Sequence, residues 1–139
     1  MIDIENDVFD TVATALRSAH AGIWVAGEFV DSPAKFPAVT IVESDNRIFE
    51  RMRTRKIENA VRVMYEMQIY SNKASGKIAE AKAIADTADE VFAQLGITRT
   101  MRSQGANLKD ATIYRIVCRY EAIIGKNGEN NYLVYQNTY

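Results

Sequence analysis

Hydrophobic residues recur at steps of three and four positions in two segments of the chain, which is the spacing of one face of an α-helix. The first segment predicts a helix from Asp3 to His20, with Asp3 as its N-cap. The second predicts a longer, alanine-rich helix from Lys77 to Leu95, capped by Ser75 and ended by Gly96. Its many alanines favour close packing against a sheet.

The remaining apolar residues alternate with polar ones or form short β-branched runs, a pattern typical of strands. Strands are predicted at Gly22–Val30, Ala38–Ser44, Ala60–Asn72, Ile97–Ser103 and Ala111–Ile124, and the stretch 131–139 is either a last strand or a tail. The resulting order is α-β-β-β-α-β-β-β. Strands grouped in this way predict an α+β fold, with a mainly antiparallel sheet of about five or six strands and both helices packed on it.

The strand predicted at Ala111–Ile124 carries apolar residues on both of its faces. Its even positions form an unbroken apolar row suited to the core. Its odd positions alternate charged and aliphatic side chains: Arg115, Val117, Arg119, Glu121 and Ile123. A sheet face covered by the protein's own helices would not carry so many charged residues. A face exposed to water would not carry so many aliphatic residues. We therefore expect this odd face to be a subunit interface, where apolar contacts exclude water and charges set the register.

The segment Asp45–Asn59 shows neither alternation nor a helical stripe, and is predicted to be a long basic loop. Its cations and its one aromatic residue are Arg47, Phe49, Arg51, Arg53, Arg55 and Lys56. One interpretation is a solvated loop. Another is an arm that contacts an acidic surface or phosphates. A single aromatic residue gives little support for base stacking.

Three tyrosines mark the C-terminal end, where residues 130–139 are predicted to form an arm. They are Tyr132, Tyr135 and Tyr139. Tyrosine is enriched at interfaces because its ring is apolar and its hydroxyl is polar. We therefore expect these residues to contact a neighbouring subunit.

Composition narrows the range of functions. The 139 residues are expected to form a single domain, residues 1–139. A net charge of −1 argues against a protein whose whole surface binds nucleic acid. The only cysteine, Cys118, excludes an intramolecular disulfide, and the only histidine, His20, accompanies no catalytic motif. Neither a metal site nor a cofactor is predicted, no membrane span is found, and an enzyme is the least supported class.

The stretch Tyr65–Ile124 resembles small tail-completion proteins of tailed bacteriophages and prophages. The resemblance lies in a strand ending Ile69-Tyr70-Ser71, the alanine-rich helix, Gly96-Ile97-Thr98-Arg99, Tyr114-Arg115-Ile116-Val117 and Arg119-Tyr120-Glu121. The family is similar to tail terminators, also called tail-to-head joining proteins. These form a ring, usually a hexamer, which caps the finished tail tube and presents a surface to the head connector.

The resemblance implies a non-enzymatic virion protein without a cofactor, made in the bacterial cytoplasm and located at the head-tail interface. Its implied partners are copies of itself, the tail tube protein and the head connector protein, with DNA only as cargo through the ring. The loop at 45–59 would reach the tube or a neighbouring subunit. Two alternatives stay open: a head-closure or minor capsid connector protein, and a small nucleic-acid-binding module that uses the basic loop.

Overall fold

The computed structural model describes residues 2–30, 33–48, 60–106, 110–126 and 132–135; Ala106, Lys126 and the last four are described by their backbone alone. The elements are α1 (Glu5–Ala19), β1 (Trp24–Ala26), β2 (Ala38–Ile48), β3 (Ala60–Ser71), α2 (Lys77–Gln94), β4 (Thr98–Ala106), β5 (Tyr114–Lys126) and β6 (Tyr132–Tyr135). The predicted α+β class and the predicted order of elements are confirmed.

One six-stranded sheet runs through the molecule in the order β1-β2-β3-β5-β4, with β6 also paired to β5. All pairs are antiparallel except β1 with β2. The 13-residue strand β5 pairs with β3 along one edge. Along its other edge, residues 114–121 pair with β4 and residues 123–126 pair with β6. The last stretch of the chain therefore contains a strand, as one of the two sequence interpretations held.

Both helices pack on the same face of the sheet, which we call the inner face. It is formed by the odd positions of β3 from Val61 to Ile69 and the even positions of β5 from Ile116 to Ile124, all buried. The aromatic ring of Phe92 on α2 stacks on Tyr120, with ring centroids 3.9 Å apart. Buried alanines on α2 let this helix approach the strands closely, because they bring no side-chain bulk to the contact.

A hydrogen bond joins the two helices to each other. His20 Nε2 lies 2.9 Å from Thr87 Oγ1, and the Thr87 hydroxyl donates to the Ala83 carbonyl. Thr87 Oγ1 therefore accepts from the Nε2–H of His20. The position of His20 fits a structural contact between helices.

The predicted loop Asp45–Asn59 is wrong at its start, because Asp45 to Ile48 belong to β2 and pair with β3. The cause is a register shift between Glu43 and Asp45. Such a bulge inserts one residue and breaks the alternation of side chains that reveals a strand in the sequence. Arg47, predicted to lie in the loop, is an exposed strand residue.

Other boundaries differ more modestly. The strand predicted at 22–30 is confined to β1, and the predicted Ser75 cap is wrong. The N-cap of α2 is Gly76, whose φ of 90° lies in the left-handed region and which makes no side-chain capping bond. The Asp3 carboxylate accepts the Glu5 N–H at 3.1 Å, although Ile4 is the N-cap residue of α1.

The end of α2 requires glycine. Gly96 has a φ of 78°, its N–H donates to the Ala93 carbonyl, and the N–H of Ile97 donates to the Phe92 carbonyl at 2.9 Å. These two bonds form a Schellman motif. Gly96→Ala is expected to cost about 1 kcal/mol, because an L-side chain is strained in this conformation. Gly105→Ala, at a position where an added Cβ meets nothing within 4 Å, is the control, and urea unfolding compares the two. Equal stabilities of the two variants would contradict this interpretation.

Candidate functional site

The sheet face opposite the two helices, which we call the outer face, is the first candidate site. The described outer-face residues of β2, β3, β4 and β5 follow from the strand register. They are Ala38, Thr40, Val42, Asp45 and Arg47; Ala60, Arg62, Met64, Glu66, Gln68 and Tyr70; Thr98, Met101, Ser103 and Gly105; and Arg115, Val117, Arg119, Glu121, Ile123 and Gly125. The surface mixes aliphatic groups with charges of both signs along its whole length.

One end of the outer face is covered by the protein's own chain. Ala38, Tyr70 and Ile113 form a small buried cluster, against which Trp24 and Phe36 pack. No helix contributes to this cluster within the described residues. The remainder of the outer face, toward Glu121 and Arg62, therefore has no covering helix in the part of the chain that the structure describes.

The five predicted interface residues of β5 lie together on the outer face. Arg115, Val117 and Glu121 are partly exposed and Arg119 is exposed. Ile123 is only 7% exposed in the single chain, so the prediction that it contacts a neighbouring subunit is not supported. Arg119 Nε lies 3.4 Å from Glu66 Oε1 on β3, its cross-strand neighbour. Charged and aliphatic side chains thus alternate on this face, and at least one of its arginines has an acidic partner.

The other predicted contact residues are only partly located. Arg47 lies in β2, where its Nε is 2.6 Å from Asp45 Oδ2. Tyr132 and Tyr135 are the first and last residues of β6, placed by their backbone alone. The remaining residues lie outside the described part of the chain: Phe49, Arg51, Arg53, Arg55, Lys56 and Tyr139.

A second candidate site, which the sequence analysis missed, is a cavity of about 490 Å³ beside β2 where β1 ends. We call it the edge pocket. Its lining residues are Glu5, Asn6, Phe9, Trp24, Ala26, Gly27, Glu28, Val30, Ile41, Glu43 and Tyr65. Most of the wall is apolar or aromatic, and three carboxylates line it.

Two carboxylates of the edge pocket, Glu5 and Glu43, lie close to each other and to Asp3, which is not among the lining residues. Oxygens of Asp3, Glu5 and Glu43 all come within 4.8 Å of each other. The Tyr65 hydroxyl, on a side chain that is 1% exposed, donates to Glu43 Oε1 at 3.0 Å. Burial is the main cause that raises the pKa of Glu43, and the negative charges of Glu5 and Asp3 raise it further.

The raised pKa of Glu43 predicts a pH-dependent stability. The folded protein holds the Glu43 proton more tightly than the unfolded chain, so stability falls as pH rises from the ordinary value of 4.5 through the raised folded value. At pH 7, Glu43→Gln is expected to be more stable than the parent by at most about 1 kcal/mol, because water screens this partly exposed carboxylate. The advantage should vanish below pH 4.5.

Thermal unfolding at pH 7 and pH 4 measures the difference in stability between Glu43→Gln and the parent. Glu90→Gln, on the exposed side of α2, is the control, because it removes one negative charge at an exposed position. A Glu43→Gln variant less stable than the parent at pH 7 would show that the Glu43 charge is compensated in the folded protein.

The other reactive groups are structural. Cys118 is fully buried, and burial raises the pKa of its thiol, which keeps the nucleophilic thiolate scarce. Exposed carboxylates on α2 lie beside arginines of β4, with Arg102–Asp86 at 3.2 Å and Arg99–Asp89 at 3.1 Å. Among the described residues, no helix has the length and apolar character needed to cross a membrane.

Neither a scan against protein-family models nor a search of curated proteins gives a match to this chain.

Proposed function

We propose that this chain is a structural virion assembly protein of the tail-terminator type, acting as a homo-oligomeric ring that caps a phage tail tube and joins it to the head connector. The proposal rests on the family resemblance of Tyr65–Ile124 for its biological setting. The observation that carries it is the outer face, where Val117 and Met64 lie among charged residues with no helix over them in the described chain.

Such a surface is chemically suited to a protein partner. Water-facing sheets do not need aliphatic residues in their centre, whereas interfaces combine a central apolar area with a polar rim. Val117 lies opposite Gln68 on β3 and Ser103 on β4. This places an aliphatic side chain in the middle of the sheet, flanked along its own strand by Arg115 and Arg119. Charges in these positions favour one register of association.

The charge pattern gives no comparable support to nucleic-acid binding. Arg119 lies beside Glu66, and Arg47 lies beside Asp45. A surface that neutralises phosphates needs cations in excess of carboxylates. The described outer face carries four arginines and three carboxylates, an excess of only one cation, so a protein partner accounts for its charge pattern better.

The test is the oligomeric state of the purified chain, measured by native mass spectrometry and negative-stain microscopy, alone and with isolated tail tubes. A closed ring, formed alone or on the end of a tube, is the expected result. A chain that stays monomeric at high concentration and does not bind tube ends would overturn the proposal.

A further inference from the structure

The edge pocket combines features that point to a ligand independent of the ring. We propose that it binds an arginine side chain of a partner polypeptide, with the guanidinium held by Glu43 and Glu5 and the aliphatic stem against the aromatic wall. This inference goes beyond the proposed function and does not depend on it.

The size and wall of the edge pocket suit such a side chain. Its volume of about 490 Å³ is in the usual range for a ligand site. Phe9 and Trp24 are aromatic lining residues, and Ile41 and Val30 are aliphatic ones. A guanidinium can stack on an aromatic ring while its methylene groups replace water on the apolar wall.

The negative charge of the edge pocket favours a cationic ligand. Among the described residues that line it, three are acidic and none is basic. The N-terminus of α1 accounts for Glu5, and for Asp3 beside the pocket, since carboxylates are favourable there. It does not account for Glu28, which follows β1, or for Glu43, which comes from β2, accepts from the Tyr65 hydroxyl and lies near Glu5. A bound cation would relieve the repulsion among these carboxylates.

A guanidinium fits better than a metal ion. Ca²⁺ and Mg²⁺ need oxygen ligands on most sides, whereas most of this cavity wall is carbon. The planar guanidinium presents several N–H donors in one plane, which allows it to bond two carboxylates while its face contacts a ring.

The open edge of β2 is what indicates a polypeptide rather than a free small molecule. β1 stops opposite Thr40, so in the described chain the stretch from Ile41 to Glu43 has β3 as its only strand partner. Farther along, the Asn46 side-chain amide donates to the Ile2 carbonyl, so the N-terminal segment contacts that part of β2. Unpaired backbone groups on a sheet edge can pair with an added extended peptide. Ile41 and Glu43 belong to this stretch and line the pocket. A peptide along the edge would therefore bring a side chain to the cavity.

Trp24, the only tryptophan of the chain, lines the edge pocket and reports its occupancy by fluorescence. The probes are the blocked tripeptide Ala-Arg-Ala, the same peptide with citrulline, free arginine and Ca²⁺. Ala-Arg-Ala is expected to give a saturable change in Trp24 emission. The citrulline peptide, of equal shape but uncharged, should bind about tenfold more weakly or worse, because charge-assisted hydrogen bonds are lost.

Variants separate this site from general charge effects. Glu43→Gln and Glu5→Gln should each weaken the arginine peptide about tenfold, whereas Glu90→Gln should leave its affinity unchanged. Equal binding of the citrulline peptide, or no Trp24 response to millimolar peptide, would overturn the inference. Binding of free arginine or Ca²⁺ as tight as that of the peptide would reject the polypeptide assignment. Because ring formation is measured separately, failure here leaves the proposed function standing.

Discussion

Replacing Phe92 with alanine is expected to lower the free energy of unfolding by about 3–5 kcal/mol. Phe92 is fully buried, its ring stacks 3.9 Å from that of Tyr120, and it lies 6.3 Å from the ring of Tyr65. Phe92 therefore links α2 to both central strands, β3 through Tyr65 and β5 through Tyr120. The loss combines the removed apolar burial with the cavity left between rings that cannot collapse onto an alanine.

Urea unfolding followed by circular dichroism measures the loss, and Phe29→Ala provides the matched control. Phe29 is 52% exposed, so its truncation should change stability by no more than about 0.5 kcal/mol. Similar losses for the two variants would mean that the α2 contact with β3 and β5 is not the centre of the core.

Val117→Glu is expected to abolish the proposed ring while leaving the subunit folded. Val117 is only partly buried in the single chain, and Arg115 and Arg119 on the same face can pair with the new carboxylate. In an assembled interface the carboxylate and the arginine that pairs with it would both lose water, at a cost of about 3 kcal/mol or more per contact. That corresponds to at least about a hundredfold weaker association.

Ile78→Glu on α2 is the control for this experiment, because Ile78 is 47% exposed on the helical side of the molecule. Native mass spectrometry of both variants, with thermal unfolding to confirm the fold, distinguishes the outcomes. If Val117→Glu assembles as the parent does, the outer face around Val117 is not the subunit contact, whatever the oligomeric state.

The sequence was most informative where alternation was regular. In β3 and β5 one face is an unbroken apolar row at every second position, and this two-residue period placed the five predicted interface residues of β5 on one surface. The extension of β2 escaped notice because the register shift after Glu43 breaks the two-residue period. The predicted Ser75 cap is wrong because the N-cap residue is Gly76, in the left-handed conformation.

The edge pocket could not be predicted from any one stretch. Its walls come from α1, β1, β2 and β3, and only the fold brings Glu5, Glu43 and Tyr65 together. One signal was available: the first ten residues contain Asp3, Glu5, Asp7 and Asp10 without a basic residue. By itself that pattern indicates a helix N-terminus. A candidate site can be recognised only from the fold, which places Glu43 of β2 beside Glu5.

The burial of Cys118 at the centre of β5 has a practical use. A thiol with no exposed surface reacts with an alkylating dye only when the sheet opens around it. The rate at which the wild-type chain reacts with the dye therefore reports how often the central strands separate, without any substitution in the chain. In the same background, a cysteine placed on the outer face would react at once, so one chain can time both its opening and its assembly.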